Sequence, residues 1–419
     1  MGFVSVIKKE FSFIEGNYRI LLVSWILMDI AWEMPNPNFQ YYVEALGGSG
    51  IALGIIGFAN FLGMAIVAFP GGYLADKYGR QKLVSTMSFG IALSFLIFAF
   101  APTWEFILFG TIVNSLCLIY QPALFAMVQD SLPPNRRGMG SSIIELIHGS
   151  FNTPGPIIAG FLLLKFGLIP SMRIIYLIVT ALFLTAAIWR IRLKETMKNK
   201  EPIKLHYVIT SYPKAVKESF GIWKKVPRSM LWLCIIQTIS MFSLSLIRVI
   251  NAIYARDILL IPENQWWLTF IPLLLTMVIA SIPIGKMVDI IGRKIPLALG
   301  VITFGLSTML FIFADFMMVM ISMILFGISL LMLMTAIQAS ISDFVEKEKR
   351  GRVNGFINFV SYVSQGLAML IGSFLFVEVS PQLPFYISLG LVIPLLIIIF
   401  FRVKEPKKHN KTKNLIFST

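Results

Sequence analysis

Apolar runs long enough to cross a bilayer recur along this chain from about residue 19 to residue 401, and no other property narrows its fold so far. A spanning helix needs roughly 20 apolar residues. The first six runs fall at Arg19 to Tyr41, Ile51 to Leu74, Leu83 to Ala101, Phe106 to Val128, Ser141 to Leu164 and Ile169 to Trp189. Six more follow a basic stretch, at Met230 to Tyr254, Trp266 to Ile284, Ile295 to Ala314, Phe316 to Ile341, Val353 to Val377 and Leu383 to Phe401. Backbone polar groups must be satisfied within the hydrocarbon layer, so runs of this kind read as helices. With 57% of 419 residues hydrophobic and 14% charged, a water-soluble fold is close to excluded, and no large extramembrane domain fits beside twelve spans. The expected fold is an all-α membrane protein of twelve transmembrane helices.

Charge placement orients these spans. The net charge is +15, from 36 Lys and Arg against 21 Asp and Glu. If the N-terminus is cytoplasmic, every basic residue lies on that side except Lys165, Arg173 and Arg256 outside and Arg248 within a span. Basic residues stay inside during insertion, so both termini are expected in the cytoplasm. The positive excess is then a topology signal and calls for no nucleic-acid partner. No signal peptide is expected, because Met1 to Gly16 has no apolar core behind its basic residues. Cys117 and Cys234 both fall within spans, which leaves no disulfide framework and no metal knuckle.

The chain also repeats itself. Gly72-x-x-x-Asp76-x-x-Gly79-Arg80 follows the second span, and Gly285-x-x-x-Asp289-x-x-Gly292-Arg293 follows the eighth. The same offset of 213 links Asp130 to Asp343, Arg137 to Arg350 and Gly138 to Gly351. Two copies of six spans share one orientation, so the halves are expected to form two pseudo-symmetric six-helix bundles around a central cleft. The expected divisions are a cytoplasmic segment 1–16, bundles 17–190 and 229–403, a cytoplasmic linker 191–228 and a tail 404–419. The linker mixes Lys with Tyr207, Tyr212, Phe220 and Trp223, which suits an amphipathic segment on the inner leaflet; a docking role is the alternative. Gly79 and Gly292 allow a tight turn at positive φ. Asp76 and Asp289 either cap a helix N-terminus or pair with Arg80, Arg293, Arg137 or Arg350. Such pairs would latch the cytoplasmic side and break when it opens; otherwise they only fix loop geometry.

These motifs resemble the loop signature G-x-x-x-D-[RK]-x-G-R-[RK] of the major facilitator superfamily of secondary transporters, over essentially the whole chain. Gly72, Asp76, Lys77, Gly79 and Arg80 match it, with the last basic residue displaced to Lys82. The second copy departs at Ile290, where a basic residue is usual. In the fifth span, Gly155, Pro156 and Gly160 resemble an element associated with antiporters, with Ala159 replacing one Gly. The resemblance implies that the first, fourth, seventh and tenth spans line most of the cleft.

Ionisable residues at membrane depth are functional candidates by default. Asp29 and Glu33 lie four apart on one helix face and suit proton or substrate binding, or form a structural pair bonded to backbone or Asn36. Ser141, Glu145, His148 and Asn152 make a polar stripe on the fifth span, and the offset repeats it as Asn354, Asn358, Ser361 and Gln365 on the eleventh. Glu145 and His148 can titrate and are candidates for coupling; interhelical hydrogen bonding is the other reading. Arg248 should pair with Asp29 or Glu33, bind an anionic substrate group, or snorkel to the outer surface. Gln237 shares its helix face, and Asn114, Gln121 and Gln338 are candidate cavity-lining amides. Trp266 and Trp267 read as an interfacial belt.

Nothing supports an enzyme: the histidines His148, His206 and His409 form no metal cluster, and there is no phosphate loop. No cofactor is expected. The leading expectation is proton-coupled export of a small solute by alternating access from the cell membrane, with the solute, protons and the bilayer as partners and a single chain sufficing. Proton symport or facilitated import of a sugar or organic acid is the alternative within transport, and a non-transporting solute sensor the alternative outside it.

Overall fold

The computed structural model describes residues 11–133, 136–152, 154–197, 213, 221, 227–345, 350–403 and 405. Most of the expected linker and tail therefore lies outside the described residues, as do the side chains of Gly72, Asp76, Lys77, Arg137, Ser141, Glu145 and Arg350.

Twelve spans are present. Span 1 is Gly16–Trp32 continued by Phe39–Ala45, span 2 Gly50–Tyr78 and span 3 Arg80–Ala99. Span 4 joins Trp104–Cys117 to Gln121–Ser131, span 5 joins Arg137–Phe151 to Pro154–Phe166, and span 6 is Leu168–Arg190. In the second half, span 7 joins Arg228–Arg248 to Asn251–Asp257, and span 8 joins Glu263–Trp266 to Phe270–Ile291. Span 9 is Lys294–Ile312, span 10 Phe316–Phe344, span 11 Arg350–Phe374 with a wider turn at Leu375–Val379, and span 12 Leu383–Arg402. The face carrying the span 2 to span 3 turn and the start of span 1 is the terminal face here, and the opposite one the distal face.

Ten spans are helical stretches long and apolar enough to cross a membrane. The other two, spans 1 and 5, are broken where prolines intervene. Pro35 and Pro37 cannot supply the N–H groups a continuous helix needs, so span 1 ends at Trp32 and resumes after a short 3-10 turn at Asn36–Asn38. Span 5 breaks before Pro154. These broken spans carry most of the titratable residues singled out by sequence. Span 7 is interrupted briefly between Arg248 and Asn251, close to the position equivalent to the span 1 break.

The duplication is visible in the packing. Tyr42 Oη donates to the Phe98 carbonyl at 2.9 Å, tying span 1 to the end of span 3. Tyr254 Oη does the same for span 7 and the Ile312 carbonyl of span 9, at 2.8 Å. The turns at Gly79 and Gly292 have φ of 93° and 106°, a region open to glycine without strain.

The halves are joined mainly at the distal face. Span 2 runs against span 11, where a Cβ at Gly54 would lie 2.7 Å from Ser373 and one at Gly366 would lie 3.3 Å from Phe58. Small residues here let the backbones approach closely. The apolar core of the first half continues into Ile250, Tyr254, Trp266, Phe311 and Phe385 of the second. A separate core, from Met230 to Val403, fills the terminal side of the second half alone. A Cβ at Gly285 or Gly355, toward the terminal face, would meet nothing within 4 Å. Among the described residues, the polar and close backbone contacts between the halves thus gather at the distal end.

Trp266 and Trp267 are buried and do not form an interfacial belt. Span 8 begins at Glu263, earlier than hydropathy places it, so Trp266 stacks among Phe270 and Phe311 and Trp267 packs against Phe161 of span 5.

Candidate transport site

Between the halves lies a cavity of about 600 Å3. Its walls mix aromatic and thioether side chains, among them Phe61, Phe270, Phe326, Met241, Met277 and Met323, with aliphatic and polar ones. Spans 1, 7 and 10 contribute strongly, but span 4 gives only Thr111 and Asn114, fewer than spans 2 and 8. The expectation that span 4 is a principal wall is corrected: Asn114 donates to Ser94 Oγ at 2.8 Å, which holds span 4 against span 3.

Among the sequence candidates, Glu33, Asn114, Asn152, Arg248 and Gln365 line this cavity, while Asp29, His148, Gln121, Gln237, Gln338 and Asn358 do not. Gln338 and Asn358 are exposed elsewhere. Gln365 donates to the Ser361 carbonyl of its own helix at 3.2 Å, and Asn152 keeps a buried Oδ1 without a partner.

The titratable residues combine differently from their sequence spacing. Asp29 is 8% exposed, and its Oδ2 lies 2.8 Å from Nδ1 of His148, a contact between spans 1 and 5. Trp25 sets its ring edge to face against the same imidazole, at 5.6 Å between centroids. Gly155 brings the two spans together: a Cβ there would stand 2.7 Å from the Ile30 carbonyl and 3.0 Å from the Met34 amide. Glu33 instead accepts from Asn36 Nδ2 at 2.6 Å. A carboxylate and an imidazole in contact can hold or release a proton between them, and the contact is an ion pair only when the imidazole is protonated. The Glu145 side chain lies outside the described residues.

Arg248 pairs with neither Asp29 nor Glu33. Its side chain is exposed in the cavity wall, and it stands nine residues before the end of the apolar stretch at Asp257, about 13 Å of helix.

Polar contacts across the halves gather at the distal end. Gln40 Nε2 donates to the Arg248 carbonyl at 2.9 Å and to Asn251 Oδ1 at 3.0 Å. Tyr41 Oη donates to the Ala252 carbonyl at 2.8 Å. Arg256 reaches Glu44 of the first half at 2.7 Å and also pairs with Asp257 and Glu263. Sequence reasoning missed this lock, although Glu44 and Asp257 stand at the same offset of 213.

The repeated loop signatures pair within their own halves. Arg80 pairs with Asp130, and Arg293 Nε with Asp343 Oδ2 at 2.9 Å, at equivalent positions of the two copies. Asp289 lies 3.5 Å from Arg293, one turn along the same helix end. Of the pairings expected to latch the terminal side, Asp289 with Arg293 is made, while the side chains of Asp76, Arg137 and Arg350 lie outside the described residues. Beneath them, Glu195 accepts from the Arg80 and Gln81 amides at 3.1 and 3.3 Å, and Glu405 accepts from the Arg293 and Lys294 amides at 3.0 and 2.7 Å. Each carboxylate thus caps the third helix of its half from the end of the sixth. Burial pushes the Glu195 carboxyl up, but four backbone amides outweigh it and hold the group below its ordinary value. The Lys-Glu pairs 194–195 and 404–405 carried this signal, at an offset of 210 rather than 213.

Arg190, where the basic stretch after the sixth span begins, is fully buried. Its Nε donates to Ser24 Oγ at 3.0 Å and its Nη1 to Ser88 Oγ at 2.9 Å, with Tyr120 Oη at 3.4 Å. It knits spans 1, 3, 4 and 6 together without a carboxylate.

The family model described as Major Facilitator Superfamily matches residues 21–247 and again 233–415. The multidrug resistance protein MdtG of Citrobacter koseri is 26% identical over 213 residues, 48% of this chain and 52% of that protein. The multi-drug resistance efflux pump PmrA of Streptococcus pneumoniae is 26% identical over 255 residues, 58% of this chain and 59% of that one. The matched stretch thus spans half to three fifths of these curated relatives. Among solved structures, a point mutant of the nucleoside transporter NupG superposes with a TM-score of 0.74 at 13% identity, covering 92% of this chain and 99% of that one. The human organic anion transporter MFSD10 superposes with a TM-score of 0.66 at 15% identity, covering 91% and 98%. Sequence repeat, twelve-span fold and family match agree, and the chain belongs to the Major Facilitator Superfamily of membrane transporters.

Proposed function

We propose that this transporter exports small amphipathic solutes from the cytoplasm in exchange for protons, by alternating access. The observation that carries the reading is the contact of Asp29 with His148 between the two broken spans. The efflux names of its relatives, MdtG and PmrA, favour export. The positive-inside distribution favours a terminal face, and both termini, on the cytoplasmic side of a cell membrane.

In this reading the terminal side opens to admit solute from the cytoplasm, and the Asp29–His148 pair gives up its proton there. The halves, 17–190 and 229–403, then rock about the cavity, with 191–228 as the linker. Opening the distal side requires the Arg256–Glu44 and Gln40–Asn251 contacts to part. Solute leaves, the pair takes a proton from outside, and the neutralised carrier returns. One chain holds both halves and the whole cavity, so a monomer suffices. Glu145, one turn from His148 on the same helix, is placed to join the relay.

The test uses purified protein in liposomes with an internal pH dye and a series of fluorescent aromatic solutes. An imposed proton gradient should drive solute against the proton flow, and Asp29→Asn and His148→Gln should each abolish the gradient's effect. Flux indifferent to the gradient would mean a facilitator, flux along it a symporter, and binding without flux a sensor. Any of these overturns the proposal.

A further inference from the structure

We propose that the solute carries an acidic group, a carboxylate, sulfonate or phosphate ester, and that Arg248 is the residue that selects it. This deepens the transport reading above and rests on it.

The buried or half-buried arginines at the span ends are held by neighbours: Nε and Nη1 of Arg190 by hydroxyls at the terminal side, Arg256 by three carboxylates at the distal end. Arg248, among the described residues, has no hydrogen bond or ion pair on its guanidinium, yet it is exposed in the cavity wall. The carboxylate sharing that wall, Glu33, is more than the ion-pair limit of 4 Å away and is engaged by Asn36; Asp29 is engaged by His148. The resident acids thus have other partners.

A guanidinium open to a water-filled cavity is tolerable. Once the terminal side closes and water leaves, the same unpaired charge becomes strongly unfavourable. An anionic group on the solute removes that cost through two parallel N–H···O bonds, which a planar guanidinium presents at fixed spacing. The Phe and Met walls then take the apolar body. The position of Arg248 adds a link to the gate. Its own carbonyl accepts from Gln40, the residue that also holds Asn251 across the halves. An anion on Arg248 therefore binds at the helix end whose movement must accompany distal opening.

The experiment measures binding of naphthalene-1-sulfonate and of 1-naphthylmethyl-trimethylammonium to the full chain in detergent, and their flux in liposomes under a proton gradient. Wild type should bind the sulfonate, and Arg248→Gln should weaken that binding at least tenfold while leaving the cation's binding equal or stronger. Arg248→Lys should recover part of the loss, which separates charge recognition from misfolding, and elution volume checks folding of each variant. The proposal is overturned if folded wild type does not bind the sulfonate, or if Arg248→Gln binds it as wild type does. Gradient-driven flux of the cation alone would sink this inference and leave the transport reading standing. Arginine-dependent sulfonate binding with no gradient-driven flux would do the reverse.

Discussion

Replacing Gly155 with Ala tests whether the meeting of spans 1 and 5 sets the proton site. A Cβ at this position would stand 2.7 Å from the Ile30 carbonyl oxygen and 3.0 Å from the Met34 amide nitrogen. Both are backbone atoms, so no side-chain rotation relieves the overlap. Restoring an ordinary separation near 3.5 Å requires the helices to part by about 0.8 Å. A shift of that size carried to His148 would stretch its 2.8 Å contact with Asp29 to about 3.6 Å, beyond hydrogen-bond range. Overpacking of this kind costs about 1–3 kcal/mol of stability, and the stretched contact loses about 1.5 kcal/mol, close to tenfold in an equilibrium. The variant should therefore melt earlier in detergent and lose about tenfold in proton-driven flux, while solute binding at the cavity changes little. The comparison is Gly160→Ala, where the added atom would overlap the Trp267 indole of the other half. It should disturb the distal seam without touching the Asp29 contact. Unchanged flux in Gly155→Ala with an unchanged melting midpoint would refute the argument.

Two further outcomes follow from the ends of the molecule. Arg256→Gln, which frees Glu44, should shift the population toward distal-open, read as faster labelling of a cysteine introduced at Asn60 by an impermeant reagent from outside, in a background lacking Cys117 and Cys234. Labelling no faster than in the parent would remove the lock. Glu195 has a folded value below its ordinary 4.5, so its contribution to stability is full above that value and is lost as pH falls through the lowered one. The melting difference between wild type and Glu195→Gln should hence be constant from pH 7 to about 5 and shrink below about 4.5. A difference independent of pH would show that the amide serves the cap as well as the carboxylate.

Local patterns carry well from sequence to structure. Span length is set by bilayer thickness, so hydropathy alone locates the twelve crossings. The offset of 213 brings Arg80 with Asp130 and Arg293 with Asp343 to equivalent places, because a duplicated segment keeps its internal geometry. Helix-face arithmetic does less well at the site. It joins Asp29 to Glu33, since the two share a helix, whereas Asp29 contacts His148, 119 residues away, and Glu33 accepts from Asn36. Partners across helices depend on how two spans are rotated and how closely they approach, and here that hinges on a single glycine. The ends of spans are equally hard to read. Arg190 looks like the start of a solvated basic loop and lies buried, because two serines and a tyrosine supplied by three other spans receive it. The distal lock is invisible for the same reason: Gln40, Glu44 and Arg256 are ordinary loop-end residues until the halves meet.

The carboxylates Glu195 and Glu405 each reach from the end of a sixth helix to the first amides of the third helix in the same half. Such a clasp borrows nothing from the other copy. Each half is thus clasped on its terminal face by its own residues, whereas the distal seam and the cavity need both halves. The two cavity walls can therefore differ, with Arg248 on one and Glu33 on the other, without disturbing the clasp that each half owns.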